Sequence, residues 1–210
     1  MVRRSLRSGG HDMNNSSTGG YVLPSATQGL PGNLTLDQFI QTVLVGISGL
    51  DGTLVRPKWQ IAPPKQPELT TDWLAFGVAL ITPDANAYVG MDSAGNSTFQ
   101  RHEGLEIPLS FYGPNAMQKA SEIRDGFQIQ QNLEALRAAN MGFAYVNEAR
   151  HIPERIHERY VNRVEMSVFL RREVQRTYPI LSFLSADGVI HTVLGSEEYL
   201  LEWQSKPEET

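Results

Sequence analysis

The sequence predicts an α+β fold: an antiparallel or mixed β-sheet with two main helices packed on one face, a long protruding strand and an N-terminal arm of disordered type. Three observations carry this reading. Apolar residues recur at three- and four-residue steps over Leu36 to Leu50 and again from Ala116 to Leu136, the period of a one-faced helix. They alternate with polar or small residues over Trp73 to Thr82, Leu105 to Phe111 and Arg163 to Arg171, the period of a half-buried strand. Ahead of all these, Met1 to Gly32 is mostly Gly, Ser, Asn and Arg, with too few apolar side chains to offset its ordering entropy by burial.

Taken in order, the arm spans 1–32, with Tyr21, Val22 and Leu23 as one small anchor that suits docking on a neighbouring chain. The first helix places Leu36, Phe39, Ile40, Val43, Ile47 and Leu50 on one face, with Thr35 and Gln38 as a capping box and Gly49 and Gly52 to end it. The stretch "PKWQIAPPKQPE" follows as a proline-rich connection over open surface. Leu74, Phe76, Val78 and Leu80 then define one strand face, and Leu105, Ile107, Leu109 and Phe111 another. Pro108 marks an edge position or a bulge, and the Gly- and Asn-rich segment between the two strands reads as a turn or an extended hairpin tip.

The sharpest junction is "FYGPNA". Phe111 and Tyr112 close a strand, Gly113 suits an N-cap and Pro114 the first helical position, where its fixed φ fits and no N–H is missed. The helix that follows runs Ala116 to Ala139, but its stripe of Ala116, Ala120, Ile123 and Phe127 is out of phase with Ile129, Leu133 and Leu136, so a kink or a second helix is expected near Gly126. A short strand over Phe143 to Ala149 precedes the long one, in which Val164, Met166, Val168 and Leu170 alternate with polar residues. Beyond Leu170 the pattern turns polar on both faces, and the strand is expected to outrun its core. Arg171, Arg172, Glu173 and Arg176 then form a candidate subunit interface. Asp187 and Gly188 suit a type I′ hairpin turn, and an acidic tail over 196–210 is expected to be loose, leaving 33–195 as a single domain.

Composition narrows the function. The 210 residues carry a net charge of −5, which argues against tight non-specific binding of nucleic acid. With no cysteine, disulfides, zinc-thiolate sites and cysteine nucleophiles are excluded. No segment has the length of a membrane span or the apolar run of a secretory signal, so the chain reads as soluble and unsecreted.

Catalytic signals are weak throughout. "GLDGTLV" has the outline of a phosphatase aspartate motif, but Gly49 stands where the nucleophilic aspartate belongs, so Asp51 reads as part of a turn. His151, Glu154, His157 and Glu158 lack the i, i+4 histidine spacing of a metal helix and are interrupted by Pro153. Asp84, Asp92 and Asn96 do not reproduce a calcium loop, and no glycine-rich phosphate loop occurs. No catalytic, metal or cofactor site is expected.

The "FYGPNA" corner after an alternating strand, Arg124 and Leu136 in the following helix, and "NEARHIPERIHERYVNRVEMSVFLRREVQRTYP" together resemble the neck or tail-terminator proteins of tailed bacteriophages over roughly Leu34 to His191. The resemblance implies a non-enzymatic structural protein of the virion neck, made in the host cytoplasm. It implies a homo-oligomeric ring, hexameric to match the tail tube, that ends tube growth, meets the tail tube protein and joins head connector or completion proteins. Genomic DNA would pass through the lumen without specific binding. A connector or stopper subunit of different ring order is the nearest alternative, and an undetected hydrolase the remote one.

Overall fold

A computed structural model describes residues 20–29, 34–93, 95–156, 159–180, 186–194 and 197–205. The strands are β1 (Ala26–Gln28), β2 (Val55–Pro57), β3 (Trp73–Phe76), β4 (Leu80–Pro83), β5 (Tyr88–Met91), β6 (Ser97–Tyr112), β7 (Met141–Val146), β8 (Arg150–His151), β9 (Glu154–Ile156), β10 (Arg159–Val161), β11 (Arg163–Tyr178), β12 (Ala186–Leu194) and β13 (Glu197–Ser205). The helices are α1 (Leu34–Ser48), α2 (Ala116–Gly126) and α3 (Glu134–Ala138), with short 3₁₀ turns at Gly52–Leu54, between α1 and β2, and at Gln130–Leu133, between α2 and α3. The chain divides into two compact units. One comprises Ala26–Val89 and Phe99–Arg176, and the other includes the β12–β13 hairpin.

The fold is α+β with a mixed sheet. Nine strands form one sheet along the path β1-β11-β6-β3-β2, with β4 and β5 also paired to β6 and β7 and β8 also paired to β11. Strand β2 runs parallel to β3, while β3 and β4 run antiparallel to β6 and β7 antiparallel to β11. The two sixteen-residue strands organise the larger unit because each presents an unbroken apolar face: Leu105, Ile107, Leu109 and Phe111 on β6, and Val164, Met166, Val168 and Leu170 on β11. These pack in one core with Leu36, Ile40 and Leu44 of α1 and with Ala116, Ala120 and Ile123 of α2. Each such leucine or isoleucine contributes about 1.5–3 kcal/mol by leaving water.

Several elements fall as the pattern requires. Helix α1 ends at Ser48, and Gly49 follows with φ 65°, its N–H donating to the Val45 carbonyl at 3.0 Å. The predicted break at Gly126 is present, with α2 ending there and α3 starting after the 3₁₀ turn. Ile129, expected on the buried stripe, is instead exposed because it lies in the connection between the two.

Other expectations are corrected. Helix α1 starts at Leu34, so Thr35 lies inside the first turn and does not form a capping box with Gln38. The single strand expected over Trp73 to Thr82 is two. Phe76 pairs with Leu109 but Leu80 pairs with Glu106, so three residues face two and the pairing gains one residue, a bulge. Leu74 and Phe76 are buried as expected, while past the bulge Leu80 is exposed. Pro108 sits opposite this break, between the paired residues Leu109 and Glu106, where its missing N–H interrupts neither run of pairing.

The arm is not wholly without structure. Ala26–Gln28 forms β1 beside β11, and Ser25 donates its backbone N–H to the Thr177 carbonyl at 2.8 Å. All three β1 residues are exposed, so backbone pairing holds them and no apolar burial is needed. Residues 1–19 and 30–32 of the predicted arm lie outside the described residues. At the other end Asp187 and Gly188 are not a turn: they pair with Gln204 and Trp203 inside the β12–β13 ladder, which reverses between Leu194 and Glu197. The stretch expected as a loose acidic tail therefore contains β13, whose Tyr, Leu and Trp residues supply strand propensity that its acidic composition obscured.

Candidate functional site

The two sequence-predicted sites lie at opposite ends of the β6–β11 pair. At the first, Phe111 points into the core and is fully buried, while Tyr112 points to the other face and stacks on Trp73 with ring centroids 4.2 Å apart. Gly113 adopts φ 106°, and a Cβ there would stand 2.5 Å from Asp72 Oδ1 and 2.6 Å from the Thr71 carbonyl, so both backbone and space demand glycine. The chain turns through Gly113–Ala116, where the Ala116 N–H donates to the Gly113 carbonyl at 3.3 Å.

Gly113 is therefore not the N-cap, nor Pro114 the first helical residue. Asn115 is the N-cap of α2, and Pro114 occupies the second position of the preceding turn, which its fixed φ suits equally well. Asn115 has no capping side-chain bond to its own helix. Its backbone N–H donates to Asp72 Oδ1 at 2.8 Å and its side-chain amide to Asp72 Oδ2 at 2.9 Å. Asn162 completes the corner by donating to the Gly113 carbonyl at 2.9 Å, and a His151 ring nitrogen meets the Asn162 amide oxygen. Asp72 and Asn162 carry no local signal of this role, since each acts on a turn more than forty residues away.

At the second site the four predicted residues separate. Arg172 is buried on the core side and donates its Nε–H to Glu103 Oε2 at 2.8 Å, so it is not available to a neighbouring chain as an exposed group. The reason is parity. Arg172 lies two residues past Leu170 and keeps its inward direction, as Val174 does after it, while Glu103 keeps the inward direction of Leu105. The expectation that β11 outruns the core at Leu170 is corrected accordingly. Arg171 points outward and is exposed, 3.8 Å from Asp84. Glu173 and Arg176 are half-buried, and His102 lies 3.5 Å from Asp84 and 3.9 Å from Glu173.

Between the two ends the outward face is polar. Ser110 donates to Glu165 and Ser167 to Glu106, at 3.3 and 3.0 Å, and Arg163 pairs with both Glu154 and Glu165. Burial raises the Tyr112 phenol and lowers Lys58 from their ordinary values. Near the bulge and beyond it Leu80, Ile81, Tyr88 and Val89 are all exposed.

The weaker chemical candidates have structural places. Asp51 caps the 3₁₀ turn, accepting from the Thr53 backbone N–H at 2.8 Å and hydroxyl at 2.6 Å, and these bonds lower its pKa. Asp92 accepts from the Asn96 backbone and side chain to shape the hairpin turn before β6. Glu154 is paired to Arg163, while His157 and Glu158 lie outside the described residues. Among the described residues no three His, Asp or Glu side chains gather as a metal site, and no helix is long and apolar enough to cross a membrane. Compared with known proteins, residues 34–193 match the family described as phage neck terminator protein, and no curated protein matches the chain.

Proposed function

The chain belongs to the phage neck terminator family, a structural family of the virion neck, and from that membership we propose that it forms a homo-hexameric ring that ends the tail tube and joins it to the head connector. The observation that carries the proposal is the extent of the family match, which includes every element from α1 to β11 and so eight of the nine strands of the helix-covered sheet.

Two surface features support contact with other chains. Leu80, Ile81, Tyr88 and Val89 leave apolar side chains in water in the isolated chain, which suits a protein interface. Arg171, with the half-buried Glu173 and Arg176, offers charged groups for a polar rim, now without the buried Arg172. Contacts of this kind are weak singly and strengthen when a tube end presents several subunits at once. The net charge of −5 suits a passage through which DNA slides without being held.

Reconstruction of the neck in an intact particle tests the reading. A sixfold ring of this chain at the end of the tail tube is expected. A twelvefold ring, or a position away from the tube end, overturns the terminator role and makes the chain a connector or stopper subunit.

A further inference from the structure

A groove of about 260 Å³ opens on the outward face of the larger unit, between the proline-rich connection and the Trp73–Tyr112 ring pair. Its base is a four-layer stack. The Arg56 guanidinium lies 5.9 Å from the Trp73 ring centre, Trp73 and Tyr112 are within 8° of parallel, and the Arg163 guanidinium lies 5.8 Å from the Tyr112 ring centre.

The cations in this groove differ in what balances them. Arg163 is ion-paired to both Glu154 and Glu165. Arg56 is held by carbonyls alone, its Nε–H donating to Thr53 at 2.6 Å and its Nη1 to Lys65 at 2.8 Å, which fixes the guanidinium without cancelling its charge. Lys58 lines the same groove two residues on, and among the described residues its ammonium has no hydrogen-bond or ion-pair partner. Burial draws it partly out of water, and Glu165, ion-paired to Arg163, offsets part of that effect without forming an ion pair with it. A half-buried lysine with no carboxylate at ion-pair distance works against the fold. Such a group is expected where a partner supplies the missing carboxylate.

We propose that this groove docks an acidic peptide segment of a partner chain, one carboxylate lying between Arg56 and Lys58 and the adjoining residues resting along Trp73 and the prolines. The two cations that have no salt-bridge partner among the described residues line one cleft walled by Pro57, Pro63 and Pro64 rather than an exposed stripe. Duplex DNA presents a charge at each step of a convex backbone and needs the stripe, and the acidic chain repels it. A peptide needs only one or two fixed charges and an apolar wall. This inference does not depend on ring order, and its assay reads the groove alone.

The probe is a fluorescein-labelled octapeptide of alternating Glu and Pro, followed by fluorescence anisotropy with the full chain. The Gln–Pro octapeptide and a labelled DNA duplex serve as the other arms. Binding of the acidic peptide is expected, weakened about tenfold or more for the Gln peptide and for Lys58→Met, which keeps the stem and removes the charge. The melting temperature of Lys58→Met should equal or exceed that of the parent, because the change removes an unpaired charge. A residue held only for packing would not separate affinity from stability in this way. With the unaltered chain, NMR should place the peptide-induced shift at the Trp73 indole. Absence of binding, equal affinity for both peptides, undiminished affinity of Lys58→Met, or a shift confined to other tryptophans overturns the proposal. Tighter binding of the duplex than of the acidic peptide assigns the groove to nucleic acid instead.

Discussion

The two ends of the β6–β11 pair face the same requirement, to close a sheet without stranding polar groups, and meet it with opposite chemistry. At the Phe111 end the chain reverses, the Gly113 carbonyl accepting from Ala116 and Asn162 and the Asp72 carboxylate from Asn115, at 2.8 to 3.3 Å. At the Arg172 end both strands continue, and an ion pair buried beneath them takes the place of apolar side chains. Its outer surface carries Arg171, Asp84 and His102 in water. The first end is closed on itself, so a partner finds little there to read. The second is closed inside and open outside, and only its open half is fit for recognition.

The strongest way to break this comparison is Arg172→Glu. If Arg172 were a surface group, reversal would alter joining and leave the subunit folded. Buried against Glu103, the variant sets two carboxylates together, and loss of one partner of a buried pair alone costs about 3–5 kcal/mol. A large fall in the denaturant midpoint is expected, and an unchanged midpoint returns Arg172 to the surface. Replacing the pair together, as Glu103→Leu with Arg172→Met, should restore much of that loss, since apolar residues of similar volume substitute well for a buried ion pair.

A smaller effect sharpens the other end. Asp72→Ala removes both bonds to Asn115 and leaves the first turn of α2 without its donor's partner. Water replaces that partner at this exposed corner, so a cost of about 1 kcal/mol is expected, in the range of a lost helix cap. Equilibrium unfolding measures it, and no change would mean that Gly113 and Pro114 hold the corner unaided.

The sequence made the inner face legible because alternation and helical periodicity report burial directly: Leu105 to Phe111, Val164 to Leu170, the α1 stripe and the break at Gly126 all follow from spacing. The Arg172–Glu103 pair was misread: each residue keeps the parity of its apolar neighbours, but a charged residue in phase with a core face reads as the end of that face unless its partner is found in phase on another strand. Asp72 was not legible, since nothing local distinguishes a carboxylate that caps a turn 43 residues later. The bulge was legible only as one of the two readings that Pro108 offered, since its place depends on a one-residue difference between two strands. The groove escaped for a further reason. Arg56, Lys58, Trp73, Tyr112 and Arg163 come from four separate stretches, and only the sheet brings them side by side.

The smallest effect on stability carries the most about function. Arg171 is exposed, and Asp84, 3.8 Å away, is also in water, so their pair contributes at most about 1 kcal/mol. Arg171→Glu should shift the unfolding midpoint by roughly 0.5 kcal/mol or little more while impairing head-to-tail joining, if the open end of the β6–β11 pair is where a neighbouring subunit reads this chain. The exchange Arg171→Glu with Asp84→Arg separates the two roles of the arginine. It rebuilds the pair within the chain and leaves the surface facing a neighbour with its charges transposed. Joining that stays impaired in the double variant supports an interface at Arg171. Joining that recovers with the internal pair shows that Arg171 serves its own sheet, and normal joining by the single variant moves the interface to the exposed apolar residues Leu80, Ile81, Tyr88 and Val89.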